Sequence, residues 1–566
     1  MPKIETSGKL LFSLMGRTYA DEQLEKYFPV AKAELDGHDE ANDLYKIELN
    51  DTNRPDLWSA PGLARQLRQY VSGDNPVLYD FFSTSEVSMD DGGRKLVIDE
   101  SARRVRPYSV GFAATGVTVD EDILQALIQS QEKLCWNFGR KRRSIAMGVY
   151  RNDIITYPVH YRGADPDATS FVALGMEEKH TLREICTLHP KGKEYGYIVK
   201  DAPVYPFLHD DRNEPLSFPP VINSARIGAV KTGDKELFFE FSGTGLEDIL
   251  LAASIIACDL ADMGYAILPV TAVYPYDTPF GREITVPYYF QEPVACPLET
   301  VHAILGQKLT GEQSVQALKN MGVFSVFEKD CLYVTVPEYR NDFLHPVDVA
   351  EDVMIGRGLE NFAPEMPDDF TVGRISPAEV LGRKVQELMV GMGFQEMIYN
   401  YLGSRREYID NMHVCGKDAI FIANPMSENY EVVRPSILPS LLESESVSGH
   451  AVYPHRIFEV GKVAYKEPSE NSGVVTRNHL GFLSADNDAG FNDALAYVKT
   501  LMYFLGKDYA LAELAEDSRF LAGRCARVMV EGREVGVFGE IHPAVLESWG
   551  TTMPTIGAEF DLDRLG

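Results

Sequence analysis

The apolar runs of this chain are short: the longest, residues 249–258, is already interrupted by Ser254. A membrane span needs roughly 20 apolar residues, so a segment of this length is expected to build a core rather than cross a bilayer. The stretch 10–15 follows a lysine but falls short of a signal-peptide apolar region, which needs about 7–15 residues, and is also read as core. Short periodic patterns punctuated by 45 Gly and 32 Pro over 566 residues predict several α+β folding units, at a soft prior of about 150 residues each. The 54 Lys and Arg against 84 Asp and Glu leave a net charge of −30, which repels polyanions at long range and argues against a protein that coats DNA. The seven cysteines (Cys135, Cys186, Cys258, Cys296, Cys331, Cys415, Cys525) are odd in number and never spaced C-x-x-C. That pattern points away from a disulfide framework or zinc ribbon and toward a reducing cytoplasm.

Pattern changes and Pro-rich joints divide the chain into residues 1–104, 105–275, 276–362 and 363–566. In the first, a strand is expected at Leu44–Leu49 and a helix through Leu63, Ala64, Leu67 and Val71, with Pro61 in its first turn and Gly73 and Pro76 beyond its end. In the second, β-like runs at 144–150, 196–199 and 237–241 alternate with helices at 123–135 and 246–263. In the third, a helix near 313–321 precedes strands at 323–327 and 332–336. The fourth mixes a helix at 377–392 with strands at 456–460, 527–530 and 535–538.

The densest chemistry lies in VPEYRNDFLHPVDVAEDVMIG, residues 336–356. Pro346 suits a first helical turn and Gly356 a C-terminal cap, predicting a helix of about nine residues. At about 100° per residue, Asp348, Glu351 and Asp352 share one arc of that helix, and Asp342 in the preceding loop is near enough to join them. Hard oxygen donors of this kind suit Mg²⁺; the competing reading is acids complementing a helix dipole on a solvated face. No His or Cys joins the cluster, which argues against zinc.

Six strings in order, KIELNDTNRPDLWSAPGLARQL (46–67), NFGRKRRSIAMGVY (137–150), LHPKGKEYG (188–196), VPEYRNDFLHPVDVAEDVMIGRG (336–358), IANPMSENYEVVRPSILPSLLES (422–444) and HRIFEVGKV (455–463), resemble the beta subunit of phenylalanine–tRNA ligase in its archaeal and eukaryotic cytosolic form. The resemblance implies three things about fold: an editing-type α+β domain, a small Mg²⁺-binding α/β domain, and a degenerate class II synthetase-like antiparallel-sheet domain. It implies a Mg²⁺ site shared with the alpha subunit at Asp342, Asp348, Glu351 and Asp352. ATP would be a substrate of the complex, a heterotetramer of two alpha and two beta chains acting on Phe and tRNA(Phe). Residues 559–566 resemble the start of the last class II motif without the helix that should follow, and Arg456-Ile457-Phe458-Glu459 resembles its phosphate-binding strand without a full partner set. Adenylate formation is therefore expected in the alpha subunit.

The second domain resembles the family's module for hydrolysing tyrosine misattached to tRNA(Phe), and Ser217, Asn223, Glu240, Ser242 and Thr244 are its candidate groups. Against that stands the plainer reading in which Asn223 and Ser224 cap a turn and Glu240 is a solvated strand position. His180, His189 and His209 lie in the same domain without the motif context of a catalytic base and are read as structural. The basic cluster Arg140, Lys141, Arg142 and Arg143 is a candidate contact for tRNA phosphates, with a solvated or carboxylate-paired loop as the alternative. Arg103, Arg104 and Arg106 form a thinner second patch. Two rival functions remain at this level: a scaffold whose editing pocket is dead, and a stand-alone Mg²⁺-dependent hydrolase.

Overall fold

The computed structural model describes residues 2–50 and 53–566; Asp51 and Thr52 of the 46–67 string lie outside the described residues. The chain forms two compact units, Met1–Glu365 and Met366–Gly566.

The first unit begins with a three-stranded antiparallel sheet, the strand Leu44–Leu49 lying between Lys3–Ser7 and Ala33–Asp39. The expected helix runs over Ala60–Ser72: Ser59 Oγ accepts from the Gly62 amide, Pro61 occupies the first turn, and Gly73 closes it at φ +64°. Residues 10–15 fall in the helix Gly8–Met15, whose Leu11, Leu14 and Met15 are buried in this subdomain's core.

A ten-stranded sheet dominates the unit. Its strand Glu236–Gly243 lies antiparallel between Tyr108–Thr115 and Ile145–Arg151. The helix Leu246–Asp262 covers one face, and its length of buried Leu, Ile and Ala explains the long apolar run. The sheet also recruits Lys95–Ile98 and Glu283–Val286. It therefore crosses the expected divisions at 104/105 and 275/276: the turn-rich joint after Val273 is the reversal between two paired strands. The 196–199 run is no strand. It is a 3₁₀ turn, Gly196–Ile198, following the helix Pro190–Tyr195.

Residues 294–359 fold around their own core, three helices over a three-stranded antiparallel sheet in the order Val294–Pro297, Cys331–Thr335, Phe324–Glu328. The acidic helix is Pro346–Arg357, 12 residues long and capped by Gly358, not by Gly356 as the spacing predicts. Gly356 is instead a packing position. A Cβ there would fall 2.0 Å from the Ala317 carbonyl oxygen, so only glycine lets this helix lie against Gly311–Asn320.

The second unit is a seven-stranded sheet with the helices Pro377–Gly391, Leu438–Val447, Phe491–Leu505 and Pro543–Ser548. All its pairings are antiparallel except that of Gln395–Glu396 with His455–Lys466. Among the described residues no helix is long and apolar enough to cross a membrane.

Candidate functional sites

In the strand Glu236–Gly243 side chains alternate between faces. Phe239 and Phe241 stack on Phe112 at 5.2 and 6.1 Å between ring centroids, which leaves Glu240 and Ser242 to the opposite face. Both are buried. A carboxyl in that position is costly unless it is neutral or hydrogen-bonded. Burial pushes the Glu240 carboxyl up, and Ser109, whose Oγ donates to Oε1 at 2.8 Å, together with Arg106 limits the rise, so that it lies at about 7.

Glu240 lines a cavity of roughly 200 Å³ with Ser217, Asn223, Tyr150 and the 219–222 turn. The Tyr150 hydroxyl donates to Ser217 Oγ at 2.8 Å, and Asn223 Nδ2 donates to the Val149 carbonyl at 3.3 Å. Gly148 makes room for this arrangement: a Cβ there would meet Tyr150 Oη at 2.0 Å. Three of the five candidate groups, Ser217, Asn223 and Glu240, thus come together. Ser242 touches the Glu240 carboxyl with its hydroxyl without lining the cavity, and it also accepts from Arg106 Nε at 3.1 Å; Thr244 stands apart, exposed at the turn leading into the next helix. Arg106 is itself buried and so is no part of a surface patch with Arg103 and Arg104. It also donates to the backbone carbonyls of Ser242 and Arg143. Tyr150 and Gly148 escape sequence reasoning although they lie in a quoted string, because nothing local says which face of a fully buried strand holds the cavity.

The histidines have structural partners. His189 caps Pro190–Tyr195, its Nδ1 accepting from the Lys191 amide at 3.0 Å, and His209 stacks on His160 at 5.2 Å. His180 lies 3.8 Å from Glu184. None of the three lines the cavity.

The basic cluster forms a tight turn in which Arg140, Lys141 and Arg142 all have positive φ, 50°, 57° and 65°. Arg142 turns inward to the cavity rim, donating to the Pro220 and Val221 carbonyls at 3.1 Å each, while Arg140, Lys141 and Arg143 are exposed.

The four expected Mg²⁺ ligands are not assembled. Arg340 Nε and Nη2 donate to Asp342 at 2.9 and 2.6 Å, and Nη1 and Nη2 to Asp352 at 2.6 and 3.1 Å. All three side chains are nearly inaccessible, 1% exposed for Arg340, 8% for Asp342 and 6% for Asp352. Burial alone would raise the Asp342 carboxyl, yet the guanidinium brings it down to about 2. Asp348 is a helix cap, accepting from the Leu344 and His345 amides at 2.8 and 2.7 Å, and Glu351 pairs with Lys32 at 2.7 Å. No three described His, Cys, Asp or Glu residues are grouped to hold a metal. Sharing one arc of a helix does not give these acids a shared direction: Asp352 turns inward to Arg340. The donor set, as arranged, does not fit Mg²⁺.

In the second unit two buried carboxylates on the sheet likewise have protein partners. Arg434 and Glu459 form a fully buried bidentate pair at 2.8 and 2.9 Å. Glu559 accepts from Ser436 and, at 3.1 Å, from the Ile437 amide, with His479 Nδ1 at 2.8 Å.

The profile of the tRNA synthetase B5 domain matches residues 294–359, and that of the phenylalanyl tRNA synthetase beta chain CLM domain matches residues 363–562. Together these mark the chain as a subunit of an aminoacyl-tRNA synthetase. Proteins named phenylalanine–tRNA ligase beta subunit from Borrelia turicatae and Borrelia hermsii are each 45% identical to it over 100% of both chains, and the one from Borreliella burgdorferi is 45% identical over 100% of this chain and 99% of its own. A crystal structure of an N-terminal fragment of the phenylalanyl-tRNA synthetase beta-subunit from Pyrococcus horikoshii matches with TM-score 0.59 and 33% identity, covering 63% of this chain and 100% of that one. The chain belongs to the phenylalanine–tRNA ligase beta-subunit family. These Borrelia and Borreliella relatives are bacterial, so they do not support the archaeal and eukaryotic form expected from the motifs.

Proposed function

We propose that the chain is the beta subunit of a phenylalanine–tRNA ligase that charges tRNA(Phe) as a cytoplasmic heterotetramer of two alpha and two beta chains, and that its Glu240 cavity proofreads tyrosyl-tRNA(Phe). Full-length similarity supports the first part. Correspondence with the Pyrococcus horikoshii fragment supports an archaeal-like plan for the N-terminal part alone. ATP and Mg²⁺ belong to the complex, with the adenylate formed in the alpha subunit. The internally paired charges of residues 363–566 suit a degenerate synthetase-like domain. No step is assigned to a metal held by Asp342, Asp348, Glu351 and Asp352. In this reading the ten-stranded sheet, which takes in Lys95–Ile98 and Glu283–Val286 beside residues 105–275, carries the proofreading module, and the N-terminal three-stranded sheet and residues 294–359 are structural and assembly domains.

The observation that carries proofreading is a buried carboxyl poised at about 7 on a cavity wall, beside a Tyr–Ser hydroxyl pair. A general base works best when its pKa lies near the operating pH. An apolar synthetic pocket discriminates against an added hydroxyl by only about 10²-fold, so a second, hydrogen-bonding site is chemically warranted. Tyr150, Ser217 and Asn223 offer such groups to a phenolic hydroxyl. Glu240 takes the proton of a water whose oxygen adds to the ester carbonyl, and the proton passes to the departing ribose oxygen. Arg106 and Ser109 hold the carboxylate in place. The test is deacylation of tyrosyl-tRNA(Phe) by the assembled enzyme: Glu240→Gln should slow it by about 10²-fold or more with phenylalanine activation intact. Undiminished deacylation would remove Glu240 from the chemistry.

A further inference from the structure

A second cavity, of roughly 300 Å³, adjoins the Glu240 cavity and shares Glu132, Arg142 and Lys191 with it. Its own wall includes Trp136 and Tyr195. Trp136 is 44% exposed, a large ring left facing solvent beside charged groups. Its position has a backbone cause: the helix Glu121–Lys133 widens into a single π-helical turn, Leu134–Phe138, and then reverses through the three positive-φ residues Arg140, Lys141 and Arg142. Consecutive non-glycine residues in that region are costly, and π-turns and strained backbone concentrate at functional sites.

Three of the turn's four cations meet an aromatic ring. Lys141 Nζ lies 5.0 Å from the Trp136 centroid, the Arg142 guanidinium 4.2 Å from Tyr195, and that of Arg143 5.4 Å from Tyr197, which is 39% exposed. Trp136 and Tyr195 meet edge to face at 6.5 Å. Tyr195 is buried, but Trp136 and Tyr197 are exposed beside cations, which is what a single-stranded nucleic acid requires: π-faces for bases and positive charge for the backbone. On a chain of net charge −30 such a patch is a local exception.

We infer that this second cavity seats the 3′-terminal nucleoside of the misacylated tRNA, with Trp136 as the stacking platform for its base and Lys191 and the Arg140–Lys141–Arg143 rim contacting the phosphates. The proposal rests on the proofreading reading, because the shared wall is what joins the nucleoside to an aminoacyl group in the Glu240 cavity. Arg142 is the partition between the two, fixed by the Pro220 and Val221 carbonyls on one side and Tyr195 on the other. An aminoacyl ester has two such parts, a side chain to be inspected and a ribose with its base, and the adjoining cavities offer a place to each.

The probe is the RNA trinucleotide CCA, titrated calorimetrically into the full-length chain. Trp136→Ala should weaken binding about tenfold, and Trp136→Phe, which keeps a ring, should recover most of it. Affinity should fall as salt rises, with a shallower slope in Lys141→Gln. Equal affinity in wild type and Trp136→Ala, or no CCA binding by wild type at millimolar concentration, would overturn the assignment. Glu240→Gln separates the two readings: intact CCA binding with lost deacylation supports both. Retained deacylation in Glu240→Gln together with a Trp136-dependent loss of CCA binding would remove Glu240 as the proofreading base and uphold the nucleic-acid seat.

Discussion

Replacing Arg340 by Met tests whether Asp342 and Asp352 are held by a protein cation. The guanidinium makes four hydrogen bonds of 2.6–3.1 Å to two carboxylates that are each less than a tenth exposed. Removing one side of a buried ion pair costs about 3–5 kcal/mol, since the remaining charge is left uncompensated. Asp342 alone accounts for about 2 kcal/mol, because its carboxyl is drawn from 3.8 to about 2 on folding and each unit corresponds to about 1.4 kcal/mol. A folded value below the unfolded one means that this share is present above pH 3.8 and is lost as pH falls toward 2. A chain of several domains does not unfold in one step, so the readout is amide hydrogen exchange along the helix Pro346–Arg357. At neutral pH, about 4 kcal/mol predicts a drop in protection of about 10³-fold in Arg340→Met. Millimolar Mg²⁺ should restore part of it in the variant, where hard oxygen donors have been freed, and leave wild type unchanged. Unaltered protection in the variant would refute the ion-pair account. Saturable protection of wild type by Mg²⁺ would refute the conclusion that the donor set does not fit the metal.

Two further outcomes are expected. The rate of tyrosyl-tRNA deacylation should rise with pH through about 7 as Glu240 loses its proton, and the profile of Glu240→Gln should lack that limb; a wild-type profile flat between pH 6 and 8 would count against the base assignment. The same shift has the opposite sign for stability: a carboxyl raised above its unfolded 4.5 favours the fold most below that value and loses its contribution as pH rises through about 7. Gly356→Ala should cost about 1–3 kcal/mol by forcing its helix off the Ala317 carbonyl, read as lower amide protection along Pro346–Arg357; unaltered protection would mean that the two helices are not in contact.

Local structure was readable wherever its cause was local. The helix Ala60–Ser72 was signalled by Pro61 and Gly73, and the helix over 377–391 by its apolar period, because caps and amphipathic faces are written within a few residues of the elements they define. The 196–199 run was not readable in the same way: four residues are too few for a period, and the preceding helix carries them into a 3₁₀ turn. Gly356 was expected to end the acidic helix, yet it packs against Gly311–Asn320 and the helix runs on to Gly358.

Six strings in fixed order carry the family, and they supply the residue types from which any site must be drawn. Which of those residues meet depends on long-range packing. Glu240 and Ser242 have the same strand parity and looked equivalent, yet one lines the cavity and the other holds Arg106, because the cavity ends where Arg106 is buried. Asp348, Glu351 and Asp352 share an arc of one helix, yet they go to a helix cap, to Lys32 and to Arg340. A helix or strand sets where a side chain starts, and its partner is whichever countercharge or donor long-range packing brings within about 3 Å, where a buried charge must find one.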